Sequence, residues 1–230
     1  MAVTKNQSIS LRVIKREAEI NGHWSVYFSR PANFVFETGD WIDLGFDAKQ
    51  LDGGITYSIS SSPTESDIRI TFKHGVSEFK KALQSLDPGS QLVISQFGNS
   101  YKFVLNKNQS SVLIAGGVGI APFRSMIKEM YDNKDTNEVS LLYVNQSEDL
   151  LFKDELDIWS RALPNLRIEY ICTKDLNRKK REKLIRSLIR RVDQNFYISG
   201  PPGMVDSNEH LLIDMGVKVE NIRIDIFGGY

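Results

Sequence analysis

LIAGGVGIAPFRSMIKEM, residues 113–130, is the stretch on which the reading of this chain turns. Leu113, Ile114 and Ala115 have the continuous apolar character of a strand covered on both faces. Gly116, Gly117 and Gly119 permit a tight turn and a close backbone approach to a ligand. Pro122 suits the first turn of a helix, where its missing N–H is no loss, and Phe123, Met126, Ile127 and Met130 then recur on one helical face. A strand, a glycine turn and a helix start aim free N–H groups at whatever lies above, most often a phosphate. A tight connection with no ligand is the other reading. The turn is not the G-x-G-x-x-G fingerprint, because Pro122 stands near the third glycine position. The following strand ends in Asn145 and Gln146 instead of the acid that would hold an NAD ribose.

Outward from that turn the chain divides into two rhythms. Residues 1–105 alternate apolar and polar positions over 8–13, 24–29, 41–46, 68–72 and 91–95, with Gly, Pro, Asn and Asp between. One short helix is expected over 77–86, and the whole half reads as a small antiparallel β-barrel or sandwich. From Ser111, strands expected near 111–115, 139–144, 166–172, 195–199 and 222–226 alternate with helices near 121–132, 152–162, 181–192 and 203–215. Leu184, Ile185, Leu188, Ile189 and Val192 form the apolar face of the third helix. Strand–helix alternation means an α/β parallel sheet covered on both sides, with ligands at the carboxyl ends of its strands. The expected domains are thus 1–105 and 110–230.

Composition narrows the function classes. The 230 residues carry 29 basic and 29 acidic side chains, so no net charge favours nucleic acid or an anionic membrane. The first ten residues lack the apolar core of a signal peptide and no run is long enough to span a bilayer, which predicts a cytoplasmic protein. Cys172, the single cysteine, rules out an internal disulfide or an iron–sulfur cluster and reads as a buried strand residue. His23, His74 and His210 are scattered without metal-ligand spacing, and no metal site is expected.

Six ordered segments carry a resemblance. They are TGDWIDL (38–44), ITYSISSS (55–62), GVS (75–77), QFGNS (96–100), GGVGIAP (116–122) and SGPPGM (199–204). In this order they resemble the ferredoxin–NADP reductase superfamily, whose marks are R-x-Y-S-x-x-S, G-x-S/T, P-x-G, G-G-x-G-x-x-P and C-G-P-P-x-M. The resemblance covers essentially the whole chain. It implies a flavin-binding antiparallel barrel followed by a nicotinamide-nucleotide domain. The implied function is a flavoprotein reductase passing hydride from NADH or NADPH to FAD, and electrons onward to a separate carrier protein or small oxidant. FAD is preferred to FMN because the GVS turn and its helix suit a pyrophosphate.

By the same resemblance, Tyr57 lies against the flavin ring and ribityl chain, Ser58 sits near flavin N5, and Ile59 and Ser60 continue that wall. Gly75, Val76 and Ser77 cradle the flavin phosphate, with Lys73, Lys80 or Lys81 supplying charge as a point donor. Gly116, Gly117, Val118, Gly119 and Pro122 receive the coenzyme pyrophosphate. Ser199, Gly200, Pro201 and Met204 position the nicotinamide. Thr173 and the basic run Lys174, Arg178, Lys179, Lys180, Arg181 and Lys183 stand where an adenosine 2′-phosphate would bind; a solvated face or a docking patch for an acidic carrier protein is the other reading of that run. Tyr230, after Gly228 and Gly229, corresponds to a terminal aromatic that stacks on the flavin in some branches. Ser58, Ser199 and Tyr230 are therefore the expected catalytic residues.

Two departures qualify the match: Ile55 replaces the arginine that pairs with flavin phosphate, and Ser199 replaces the cysteine of C-G-P-P. They leave open an alternative, a non-catalytic nucleotide-binding regulatory subunit that kept the fold and lost tight flavin binding.

Overall fold

The computed structural model describes residues 3–5, 9–46 and 55–227. Seven N-terminal strands are β1 (Val3–Lys5), β2 (Ile9–Ala18), β3 (His23–Ser29), β4 (Trp41–Gly45), β5 (Ile55–Ser58), β6 (Asp67–Lys73) and β7 (Gln91–Asn99). They form an antiparallel sheet ordered β5-β4-β7-β2-β3-β6, with β1 added against β7. The Ile59–Ile70 bridge and Ser60 N–H to Arg69 C=O at 2.8 Å join the two ends, so the sheet closes into the expected barrel. Closure removes the free edges that an open sheet would expose.

Period-two alternation sets the barrel core. Ile9, Leu11 and Val13 point inward from β2, and Ile42 and Leu44 from β4. Helix α1 (Glu78–Gln84) drops Phe79 and Leu83 into this core. Ser77 starts it by accepting a hydrogen bond from Lys80 N–H.

The second half is a parallel sheet of β8 (Ser111–Gly116), β9 (Val139–Asn145), β10 (Leu166–Cys172), β11 (Asn195–Gly200) and β12 (Ile222–Ile226), ordered β10-β9-β8-β11-β12. Helices α2 (Ile120–Asn133) and α3 (Lys153–Ala162) cover one face, α4 (Arg178–Leu188) and α5 (Pro202–Asp214) the other. β8 shows the division: Leu113 and Ala115 meet α2, while Val112 and Ile114 pack on the opposite side. Phe103 and Leu105, which precede β8, also belong to this second core.

Three elements depart from their expected bounds: β2 and β7 run on to Ala18 and Asn99, and α4 lies nearer the N-terminus. α4 begins at Arg178 because Asn177 accepts from Lys180 N–H as an N-cap, and it ends at Leu188. Ile189 is extended and Val192 is exposed, so neither continues the helical face. Cys172 is exposed at the end of β10, correcting its reading as a buried residue. No helix among the described residues is long and apolar enough to cross a membrane, and no group of three or more potential metal ligands is found among them.

Candidate active site

The glycine turn and the carboxyl ends of β8, β9, β10 and β11 open onto a cavity of about 300 Å³. Gly116, Gly117, Val118, Asn145, Thr173 and Arg181 line it from the α/β side, with Pro201 and Met204 from the second turn. His23 and Lys73, register partners on β3 and β6, line it from the barrel, so both domains build the wall.

The glycines have separate jobs. At Gly117, φ is +54° and a Cβ would meet nothing, so the turn stays open toward the cavity. Tyr143, buried on β9, donates from its hydroxyl to Gly117 C=O at 3.3 Å and steadies that geometry. At Gly119 a Cβ would lie 2.2 Å from Ser199 O and 2.7 Å from Gly200 Cα. That glycine serves close packing of the two turns, not ligand approach. Gly116 and Gly200 both lie against the Met204 methyl. Pro122 is buried in the first turn of α2, clear of the cavity wall.

Thr173 donates its hydroxyl to Asn145 C=O at 3.0 Å and stands at the cavity beside Arg181. Lys174 is exposed and does not line the cavity; of the basic run that follows β10, Arg181 does. α4 carries Arg181 to the wall, a consequence of its early start at the Asn177 cap.

At the seam between the domains, Ser58 Oγ donates to Asp225 Oδ2 at 3.1 Å. Asp225 is the register partner of Ser199 across β11 and β12. Burial pushes the Asp225 carboxyl up to about 6, a rise that the hydroxyls of Ser58 and Ser199 oppose. Ser199 Oγ, fully buried, lies beside this carboxyl without a hydrogen bond of good geometry. Two side chains expected to be catalytic thus meet around a third that sequence reasoning misses. No signal near Asp225 in the sequence marks it, because the parallel pairing of β12 alone brings it there.

The barrel segment differs from its expected use. Tyr57 shares the inward face with Ile42 and packs against Phe72 at 5.7 Å and Phe79 at 6.5 Å. Its ring is not an open platform for a flavin; only its hydroxyl end, buried without a hydrogen-bond partner, is left to offer. Ile59 is completely buried in the barrel core and presents no surface to a cofactor. Ser60, also completely buried, donates to Arg69 C=O at 3.0 Å, so its hydroxyl is already used. Val76 is 86% exposed and Ser77 caps α1. Gly75 leaves room for the Lys80 stem, which a Cβ would meet at 2.5 Å.

These features partly fit a flavin. Lys80 is held below its usual range by burial and by the nearby Lys73 charge, and two ammonium groups brought together suit a phosphate. The orphan Tyr57 hydroxyl suits a ribityl or phosphate oxygen. Tyr230 and the side chain of Ile55 lie outside the described residues.

An antiparallel barrel and a parallel dinucleotide-type sheet thus meet at a serine–carboxylate cluster on their seam. Residues 113–210 match the oxidoreductase NAD-binding domain family. The fold matches a ferredoxin NADP+ reductase from Neisseria gonorrhoeae, solved with FAD and NADP, at TM-score 0.79 and 18% identity, covering 96% of this chain and 99% of that one. It also matches ferredoxin-NADP+ reductase from Plasmodium falciparum at TM-score 0.77 and 18% identity, covering 96% of each. Among curated proteins, the gamma subunit of sulfhydrogenase 2 of Pyrococcus furiosus is 31% identical over 54% of this chain and 42% of its own length. The NADH-cytochrome b5 reductase 1 of Scheffersomyces stipitis is 28% identical over 64% of this chain and 55% of its own. Residues 113–210 thus carry the signature of an oxidoreductase NAD-binding domain, and the two-domain fold is that of the ferredoxin–NADP+ reductases. The chain spans about half the length of the curated relatives it matches.

Proposed function

We propose that this protein is an NAD(P)H-dependent flavin oxidoreductase that takes hydride from the nicotinamide coenzyme and delivers electrons to a separate carrier protein or small oxidant. The observation that carries the reading is the meeting of Ser58, Ser199 and Asp225 where the barrel touches the open ends of the parallel sheet. FAD, bound at the barrel, supplies the hydride acceptor and the outlet for single electrons. Lys73, Lys80 and the Tyr57 hydroxyl are the groups that hold it.

The chain's own residues do the rest. Gly117 and the start of α2 receive the coenzyme pyrophosphate, since backbone N–H groups at a helix start favour anions. Pro201 and Met204 confine the nicotinamide end next to Ser199. Burial raises the Asp225 carboxyl to about 6, well above the ordinary aspartate value, so it holds a proton more readily than a free carboxylate and can exchange it with Ser58 Oγ. Burial of this pair keeps water from the same position.

NADPH is the preferred coenzyme in this reading. Arg181 stands at the cavity wall beside Thr173 with no carboxylate partner among the described residues, and a guanidinium fork matches a 2′-phosphate. A relative solved with FAD and NADP supports the choice of both groups.

The test is a visible spectrum of the purified protein with and without added FAD, followed by anaerobic NADPH. A yellow protein bleached by NADPH is expected. A folded protein that neither carries flavin nor quenches FAD fluorescence at micromolar concentration is the regulatory subunit instead.

A further inference from the structure

Arg124, on α2 of the nucleotide domain, is 2% exposed and spends every nitrogen of its guanidinium group on a partner. Its Nε and Nη2 donate to Glu155 at 2.9 and 2.6 Å. Its Nη1 and Nη2 donate to Glu65 of the barrel at 2.7 and 3.0 Å, and Nη1 also to Ser60 C=O at 2.8 Å. The fork is therefore two-sided, with one carboxylate from each domain and one barrel carbonyl.

A second guanidinium completes the seam. Arg69 of β6 donates to Glu19 at 2.6 Å, to Ser25 Oγ at 3.0 Å and to Glu155 at 3.5 Å. The Phe152 ring lies 4.5 Å from Arg69 and 5.6 Å from Arg124. Phe152 has φ +61°, a conformation that costs a bulky residue energy and is kept where surrounding contacts require it.

We propose that Arg124 is a positioning residue that fixes Ser58 of the barrel opposite Ser199 and Asp225 of the nucleotide domain. This rests on reading those three side chains as the reaction centre. Ser60, whose carbonyl Arg124 holds, is two residues from Ser58 on the same barrel segment. Ser125, the next residue of α2, reinforces the hold by donating to Ser61 C=O at 2.7 Å. At the other end, α2 starts at Ile120, directly after Gly119, where the backbone runs so close to Ser199 and Gly200 that no Cβ would fit between them. One helix thus grips both members of the pair, Ser58 through the guanidinium and Ser199 through the glycine contact. A lysine at this position keeps the charge but, as a point donor, cannot hold two carboxylates and a carbonyl in one plane.

The test uses the full chain with Arg124→Lys and Glu65→Gln, the second leaving the Arg124–Glu155 pair intact. The first readout needs no coenzyme and no turnover: the Asp225 carboxyl titration, followed by carbonyl NMR of protein labelled at aspartate. Wild type is expected to titrate near 6. In both variants the midpoint is expected to fall by about one pH unit as the seam loosens and water reaches the carboxylate. The second readout is the reduction of the flavin by NADPH in the stopped flow. The rate is expected to fall about tenfold at saturating coenzyme with KM changed less than about twofold, the pattern of lost alignment.

Folded variants with the wild-type titration and rate overturn the proposal and leave Arg124 a fold-stabilising residue only. If Arg124→Lys does not fold, Glu65→Gln decides alone by the same two outcomes. Wild type that titrates near 6 but is not reduced by NADPH overturns the reaction-centre reading, and the positioning proposal with it. A titration shift in the variants would then record only the seam's hold on Asp225.

Discussion

The two segments that meet at the seam, 57–62 of the barrel and 116–122 of the nucleotide domain, read alike in sequence and are used in different ways. Both are small-residue stretches at or after the end of a strand, and sequence alone points both at a cofactor. In the nucleotide domain the turn opens onto a cavity through Gly117. In the barrel, Ile59 is core, Ser60 closes the sheet, and Ser61 C=O docks on Ser125. Ser62 N–H donates to Glu65 at 2.6 Å, orienting the carboxylate that meets Arg124. Serines rich in hydrogen-bonding capacity can bind a ligand or join two domains, and only their partners tell which.

The largest effect that would break this contrast is in the joint. Arg124→Met leaves Glu65 without its cation and Glu155 with only the longer Arg69 contact, and should lower stability by about 3 kcal/mol in urea unfolding. Burial alone would push Glu155 up, but Arg124 and Arg69 outweigh it and hold this acid below its usual range. The stabilisation is therefore present above the ordinary glutamate value and is lost as pH falls through the lowered one. A variant as stable as wild type at neutral pH would show that the seam is not held by this network.

Within the glycine turn, Gly119→Ala and Gly117→Ala should separate packing from ligand approach. The first places a methyl 2.2 Å from backbone oxygen and should cost about 3 kcal/mol by unfolding. The second meets only its left-handed φ and should cost about 1 kcal/mol while weakening coenzyme binding. Equal stability losses would erase the distinction.

Asp225→Asn sharpens the reading of the seam by pH. A carboxyl raised to about 6 when folded, from 3.8, stabilises the native state below pH 3.8 and loses that contribution as pH rises through 6. The asparagine variant should match wild type near pH 3.5 and exceed it by about 3 kcal/mol at about pH 8, measured by denaturant titration. Hydride transfer in the same variant should lose its dependence on a group titrating near 6. Parallel stability curves at all pH values would remove Asp225 from the buried cluster.

The smallest effect is at the coenzyme's far end. Arg181→Ala should weaken NADPH about tenfold and leave NADH unchanged, as read by coenzyme dissociation constants. Equal losses for both would mean that Arg181 contacts the shared part of the molecule.

By itself the sequence determined the two rhythms, the strand–turn–helix at 113–130 and the order of six family segments. These are local: period two or 3.6, glycine where φ or contact demands it, proline at a helix start. Only the tertiary structure decided which polar side chains were already spent. Barrel closure consumed Ser60, the inward pleat turned Tyr57 from platform to core, and the Asn177 cap carried Arg181 rather than Lys174 to the cavity. The parallel pairing of β11 with β12 set Asp225 beside Ser199, and the register of β3 with β6 set His23 beside Lys73. Such partners lie far apart in the chain, and a sequence pattern reports a residue's own preference, not the distant group that satisfies it.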